Sequence, residues 1–168
     1  ADALSSAREH PLASEQLARL HRAAGDTRAA AHTFERAARC SADPRRAAAL
    51  HYTAAVLFQD ELHDPERAID NLLLTSRADL LFADTFTRLL QLLARAGRKQ
   101  EQLALLEARL RAPHEPHLGA MLHWERYRLY LERGELDQAQ SALEASLEDD
   151  PESKQGLAAL AELHLQRG

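Results

Sequence analysis

Amphipathic helical patterns in this chain are separated by single small turn residues. In the stretch WERYRLYLERGELDQAQ, residues 124–140, apolar positions recur at helical spacing, stop at Gly134 and then resume at once. A glycine at this place predicts two helices joined by a tight turn rather than one long helix. The same succession of helix, turn residue and helix is found along the rest of the chain.

A fixed register of residues accompanies each turn. Tyr127 lies seven residues before Gly134, Ala139 lies five residues after it, and Leu143 lies nine after it. Equivalent turns are predicted at Gly25, His63, Gly97 and Gly168, so that successive turns are 38, 34, 37 and 34 residues apart. A repeat of this length predicts units of two antiparallel helices that stack on their neighbours.

The register also predicts how the helices pack. Small residues before and after the turn allow the paired backbones to approach closely, and a Leu or Phe nine residues after it fills the space toward the next unit. Pro44, Pro113 and Pro151 mark places where a helix ends. The predicted units span about residues 11–44, 45–79, 80–113 and 116–151, followed by a half-unit at 152–168.

This register resembles that of the tetratricopeptide repeat (TPR) family. The stretch from Trp124 to Pro151 is the best match, and the first unit matches through Ala18, Gly25, Ala30 and Phe34. His63 replaces the usual Gly, and Gln102 replaces the usual Ala. Two units are longer than the family's repeat, and such long units resemble the degenerate arrays of bacterial repeat proteins. The resemblance implies an all-α fold: a single right-handed solenoid over residues 1–168, with about four antiparallel helix pairs and a terminal helix.

Composition and charge agree with a helical binding module. Hydrophobic residues make up 45% of the chain but aromatic residues only 5%, which favours close-packed helices over a β-sandwich. The net charge of −5 argues against a nucleic-acid surface. The sequence shows neither a signal peptide nor a membrane-spanning run, so we expect a cytoplasmic protein, and we interpret the chain as part of a longer one. Cys40, the only cysteine, is expected to be a small buried side chain.

No catalytic motif is apparent in the sequence. Nucleophile elbows, phosphate-binding loops and dinucleotide fingerprints are absent, and we expect neither enzymatic activity nor a cofactor. His114, His117 and His123 form the tightest histidine group, but their spacing matches no metal motif. We interpret them as residues of a loop between units and of one helix face, and predict no metal site.

The resemblance implies that a concave face, lined by the first helix of each unit, binds the partner. The residues predicted to contact it are Arg19, Arg22, Thr87, Gln91, Trp124, Arg128 and Glu162. Trp124 has two interpretations. It is an aromatic anchor in the groove beside Arg128, or it is a core residue, if the predicted phase of its helix is wrong by one residue. The lysines and asparagines of the family's carboxylate clamp are missing, so a mixed-charge groove for an extended or helical segment is expected.

Three functions are therefore compatible with the sequence. The first is a non-catalytic scaffold that binds a protein or peptide, with neither nucleic acid nor membrane as a partner. The second is a regulatory or substrate-docking segment of a larger enzyme. The third is a self-associating module that forms homo-oligomers through the ends of the array.

Overall fold

The computed structural model consists of α-helices joined by short turns. It describes residues 11–167 and the side chains of residues 13–165, and no strand occurs among the described residues. The all-α prediction is confirmed, whereas the predicted turn at Gly168 lies outside the described residues. The helices are α1 (Pro11–Ala23), α2 (Thr27–Arg39), α3 (Pro44–Val56), α4 (Pro65–Ala78), α5 (Thr85–Arg95), α6 (Lys99–Arg111), α7 (Pro116–Glu132), α8 (Leu136–Asp149) and α9 (Lys154–Arg167).

The backbone confirms four of the predicted turns. Residues Gly25, His63, Gly97 and Gly134 all have left-handed conformations, with φ angles of 79°, 53°, 69° and 73°. A left-handed residue ends a helix and reverses the chain, and glycine adopts this conformation without a steric penalty. His63 adopts it although it has a Cβ atom, so the turn geometry is kept where the sequence departs from glycine.

The described residues divide into two compact units, the first ending at Ala96 and the second beginning at Gly97. In the first unit, α1 packs on α2 and α3 on α4, while α2 contacts α3 and α4 contacts α5. In the second unit, α7 packs on α8, and further contacts join α6 to α7 and α8 to α9. The helix pairs predicted for residues 11–44, 45–79 and 116–151 each lie within one unit.

The register residues have the packing roles that the sequence predicts. Ala18 and Ala30 are completely buried where α1 and α2 meet, and Ala68 and Ala139 are completely buried in α4 and α8. The large side chains nine residues after each turn are also buried, namely Phe34, Leu72, Leu106 and Leu143. Close approach of these small residues, with larger side chains filling the remaining space, therefore contributes to the core.

The second repeat, predicted at residues 45–79, contains a π-helical turn that its sequence does not reveal. Helix α3 continues into a π-helical turn, Leu57–Glu61, which is closed by a 3.0 Å bond from the Leu62 amide to the Leu57 carbonyl. Leu57 and Phe58 are consecutive, and both are buried. The π-helical turn lies in the interval between Gly25 and His63, which at 38 residues is longer than the three other predicted intervals.

The prediction that Cys40 is buried is wrong. Cys40 is exposed, because α2 ends at Arg39 and Cys40 is its C-cap residue. A residue just beyond the last helical turn no longer lies on the buried stripe of the helix.

A buried polar network joins three helices of the first unit. The Asn71 side-chain Nδ2 donates to Glu35 Oε1 (2.6 Å), and the Asn71 side-chain oxygen Oδ1 lies 2.8 Å from His51 Nδ1. Glu35 also accepts a bond from Arg67 Nη1 at 3.0 Å. Because buried polar groups require partners, these bonds fix how α2, α3 and α4 pack together.

Candidate functional site

A cleft of about 600 Å³ opens between α1 and α3 in the first unit. Helix α1 contributes Glu15, Arg19 and Arg22, which lie on one face because they are spaced by four and three residues. Helix α3 supplies the opposite wall through Arg46, Ala49, Leu50 and Thr53, and Phe34 of α2 also lines the cleft. The cleft therefore combines apolar surface with charged groups, as ligand-binding pockets commonly do.

Glu15 links the two walls of the cleft. Its Oε1 atom accepts a 2.6 Å bond from Arg19 Nη2. Its Oε2 atom accepts bonds from Arg46 Nε, at 3.1 Å, and from Arg46 Nη2. Hydrogen bonds from Arg46, assisted by the charge of Arg19, lower the pKa of the Glu15 carboxyl, although burial opposes this shift. Glu15 is therefore ionised well below neutral pH.

Arg22 lies at the rim of the cleft and has a weaker counter-ion. Its guanidinium is 3.8 Å from Glu61 Oε1. The other carboxylate oxygen, Glu61 Oε2, accepts a 2.9 Å bond from the Thr27 hydroxyl. Arg19, Arg22 and Arg46 thus have two carboxylates, Glu15 and Glu61, as counter-ions. The cleft carries an excess of positive charge although the whole chain has a net charge of −5.

The neighbouring surface, between α3 and α5, has the opposite charge balance. Arg88 donates to Asp84 at 2.9 Å and to Asp60 at 3.1 Å, and the Tyr52 hydroxyl donates to Asp84. Burial raises the pKa of Asp84, but the bonds from Tyr52 and Arg88 outweigh it and leave the pKa lowered. Two carboxylates surround one guanidinium, so this surface is negative and its arginine is already bound on two sides.

The remaining predicted contact residues of the first unit lie outside the cleft. Thr87 and Gln91 are both exposed on α5, four residues apart, and their side chains face solvent. The structure thus brings Arg19 and Arg22 together in a cleft. It leaves Thr87 and Gln91 exposed on α5, the helix that also carries Arg88.

Three predicted contact residues belong to the second unit. Trp124 is half-buried and packs on a cluster of Tyr127, Ala139, Ala142, Leu143 and Ala159, with 5.0 Å between the Trp124 and Tyr127 rings. Arg128 and Glu162 are exposed, and Arg128 donates to Glu125 at 3.1 Å. Trp124 therefore has features of both interpretations, since one part of the indole contacts the core and another part reaches solvent.

Two of the three histidines that the sequence groups together, His114 and His123, have protein partners. His114 Nδ1 is 2.8 Å from the Ala112 carbonyl oxygen, and His123 Nδ1 accepts a bond from Arg126 at 3.2 Å. Burial and the charge of Arg126 lower the pKa of His123. Within residues 11–167, no group of three or more His, Cys, Asp or Glu side chains is arranged to hold a metal ion. None of the helices in that range combines the length and the apolar content needed to cross a membrane.

Sequence reasoning missed Arg46 as a cleft residue. Arg46 lies four residues before Leu50, on the same face of α3, so helical spacing could have identified it. Phe34 was expected only to fill the gap between units. Its position at the cleft depends on how α2 packs against α1 and α3, which helical spacing alone does not give.

Solved structures show which class of fold this is. YrrB, described as a TPR protein with an unusual peptide-binding site, matches with a TM-score of 0.55 and 17% identity, over 99% of this chain and 82% of that one. A structure of MamA matches with a TM-score of 0.54 and 18% identity, over 90% of this chain and 84% of that one. MamA from Desulfovibrio magneticus RS-1, from residue 41 to its end, matches with a TM-score of 0.50 and 17% identity, over 94% and 85%.

The fold is therefore an all-α, TPR-like array of helix pairs, as the sequence register predicts. No protein-family model matches the sequence, and no curated protein matches it. At identities of 17–18%, the similarity to YrrB and MamA concerns the fold.

Proposed function

We propose that this protein is a non-catalytic interaction module that binds a segment of another protein in the cleft between α1 and α3. The cleft itself supports this most strongly, because its two walls are the first helices of consecutive repeats and its lining combines Leu50 and Phe34 with arginines. Apolar contacts supply affinity and arginines supply orientation in such sites. The peptide-binding site named for YrrB, which has a similar fold, adds support.

A peptide-display selection against the full chain tests this function. Selected peptides should bind the wild-type protein and lose binding to an Ala49→Phe variant, because the larger side chain fills the cleft that Ala49 lines. The control is Ala78→Phe, which makes the same change at an exposed position of α4. The proposal is wrong if the selection yields no binder, or if both variants bind every selected peptide as the wild type does.

The predicted contacts in the second unit are tested in the same assay. Arg128→Ala and Arg19→Ala remove exposed guanidinium groups from the second and first units, respectively. Loss of capture in Arg19→Ala alone would restrict the binding site to the cleft. Loss in both would show that Arg128 of the second unit also contributes to capture.

A further inference from the structure

The charges of the cleft indicate which kind of segment it accepts, given the proposed function. Arg19 and Arg22 are one turn apart on α1, and their side chains are 62% and 55% exposed. Glu15 is only 13% exposed and lies deeper, against Arg46. A partner approaching from solvent therefore meets guanidinium groups first and the carboxylate last.

The two exposed arginines have donors to spare. Arg19 donates to Glu15 through Nη2, and Arg22 has its counter-ion Glu61 at 3.8 Å, beyond hydrogen-bonding distance. A guanidinium has five N–H donors in a planar fork that matches a carboxylate. A side-chain carboxylate placed between Arg19 and Arg22 would gain charge-assisted bonds without breaking the Glu15–Arg46 pair.

The surface beside the cleft restricts where such a carboxylate could bind. Between α3 and α5, Asp60 and Asp84 surround Arg88 and leave a negative surface. An acidic side chain is attracted to the cleft and repelled by this neighbouring surface, which fixes the position of the segment along the array.

We propose that the cleft binds an internal acidic residue of a protein segment, with an apolar neighbour seated against the half-buried Ala49, beside Leu50 and Phe34, and that Glu15 weakens this interaction. Glu15 neutralises part of the arginine charge and holds Arg46 away from the ligand. Its role is therefore the opposite of a contact residue: removing its charge strengthens the binding of an acidic segment and weakens the binding of a basic one.

The test uses a short synthetic peptide, acetylated and amidated at its ends, in which glutamates flank a leucine. Matched peptides carry glutamine or lysine in place of glutamate, or serine in place of leucine, and one further peptide has a free terminal carboxylate. Binding to the full chain is measured by calorimetry. We expect the glutamate–leucine peptide to bind most tightly and to weaken as salt is added.

Glu15→Gln should tighten binding of the glutamate peptide about threefold to tenfold, since one charge near a partly exposed site is removed. Arg22→Gln should weaken it by a similar factor. Arg22→Glu, at an exposed position where folding is not at risk, should instead favour the lysine peptide. Glu152→Gln and Arg77→Gln, both at exposed positions away from the cleft, are the matched controls and should leave binding unchanged.

Several outcomes would overturn the inference while leaving the proposed function intact. If Glu15→Gln weakens the acidic peptide, Glu15 orients the arginines and does not compete with the ligand. If the glutamine or lysine peptide binds the wild type as well as the acidic one does, the cleft does not select acidic residues. If only the free terminal carboxylate binds, the ligand is a chain end. Failure of the peptide selection would refute the proposed function and this inference together.

Discussion

His63 and Gly134 occupy the same register position and adopt the same left-handed conformation, but only His63 has a Cβ atom. Both have positive φ angles, 53° and 73°. A Cβ atom added at Gly134 would have no atom within 4 Å other than those of Gly134 itself and its two chain neighbours, so the surroundings leave room for a side chain. The preference for glycine here therefore comes from the backbone conformation alone, because left-handed geometry brings Cβ close to the backbone carbonyl.

We predict that His63→Gly raises the unfolding free energy by about 0.5 to 1 kcal/mol, because relief of the left-handed strain exceeds the added flexibility of the unfolded chain. Gly134→Ala should lower it by about 1 to 2 kcal/mol. Urea unfolding followed by circular dichroism measures both. His63→Ala is the control, since it removes the imidazole but keeps the Cβ atom. An equal gain in His63→Ala would attribute the effect to the imidazole instead.

At the scale of helices, a hydroxyl twelve residues after the turn ties the two helices of a pair together. The Ser146 hydroxyl of α8 donates to the Ala120 carbonyl of α7 at 2.9 Å, and Thr75 of α4 makes the same kind of bond to Ala48 of α3 at 3.3 Å. Ser146 and Thr75 are buried. These bonds give the buried hydroxyls a partner on the first helix of the pair and fix the alignment of the two helices.

Ser146→Ala should lower the unfolding free energy by about 1 kcal/mol, because the buried hydrogen bond to Ala120 is lost. Ser141→Ala changes an exposed serine of the same helix and should have an effect near zero. Denaturant titration of the two variants beside the wild type measures the difference. Equal stability of the two variants would show that the bond does not contribute to the pairing of α7 and α8.

At the scale of the whole molecule, charge is distributed unevenly despite the modest net charge of −5. Arginines exceed carboxylates in the α1–α3 cleft, and carboxylates exceed arginines on the adjoining surface of α5. Several carboxylates are held by arginines, so the stability of the fold is linked to their ionisation. Glu15 is such a group, because bonds from Arg46 keep its pKa below the ordinary value of 4.5.

This linkage predicts a loss of stability in acid. A carboxyl whose pKa is lower in the folded state stabilises the fold above its unfolded pKa, and that contribution disappears as the pH falls through the folded pKa. Between neutral pH and about pH 3, Glu15→Gln should therefore lose less unfolding free energy than the wild type does. Urea titrations at a series of pH values test this, with Glu152→Gln as the control. Parallel curves for Glu15→Gln and the wild type would contradict the prediction.

Much of the fold and part of the site could be predicted from the sequence. The spacing around Gly25, His63, Gly97 and Gly134 gave the turns, because left-handed caps and buried alanines leave local signals. Arg19 and Arg22, which line the cleft, were predicted to share a face of α1 from the register of the resembled family. Arg46 was missed although its spacing from Leu50 was informative, and the buried group of Glu35, His51 and Asn71 left no pattern because its members are far apart in the chain.

The sequence by itself determined the helices, their turns and the small residues at which they pair, because these depend on neighbours a few residues apart. Only the tertiary structure decided which charges face one another. Glu15 meets Arg46 across 31 positions of sequence, and Asp84 meets Tyr52 across 32. Such contacts depend on the angle and distance at which helices pack, and these follow from the whole set of buried side chains rather than from any local spacing.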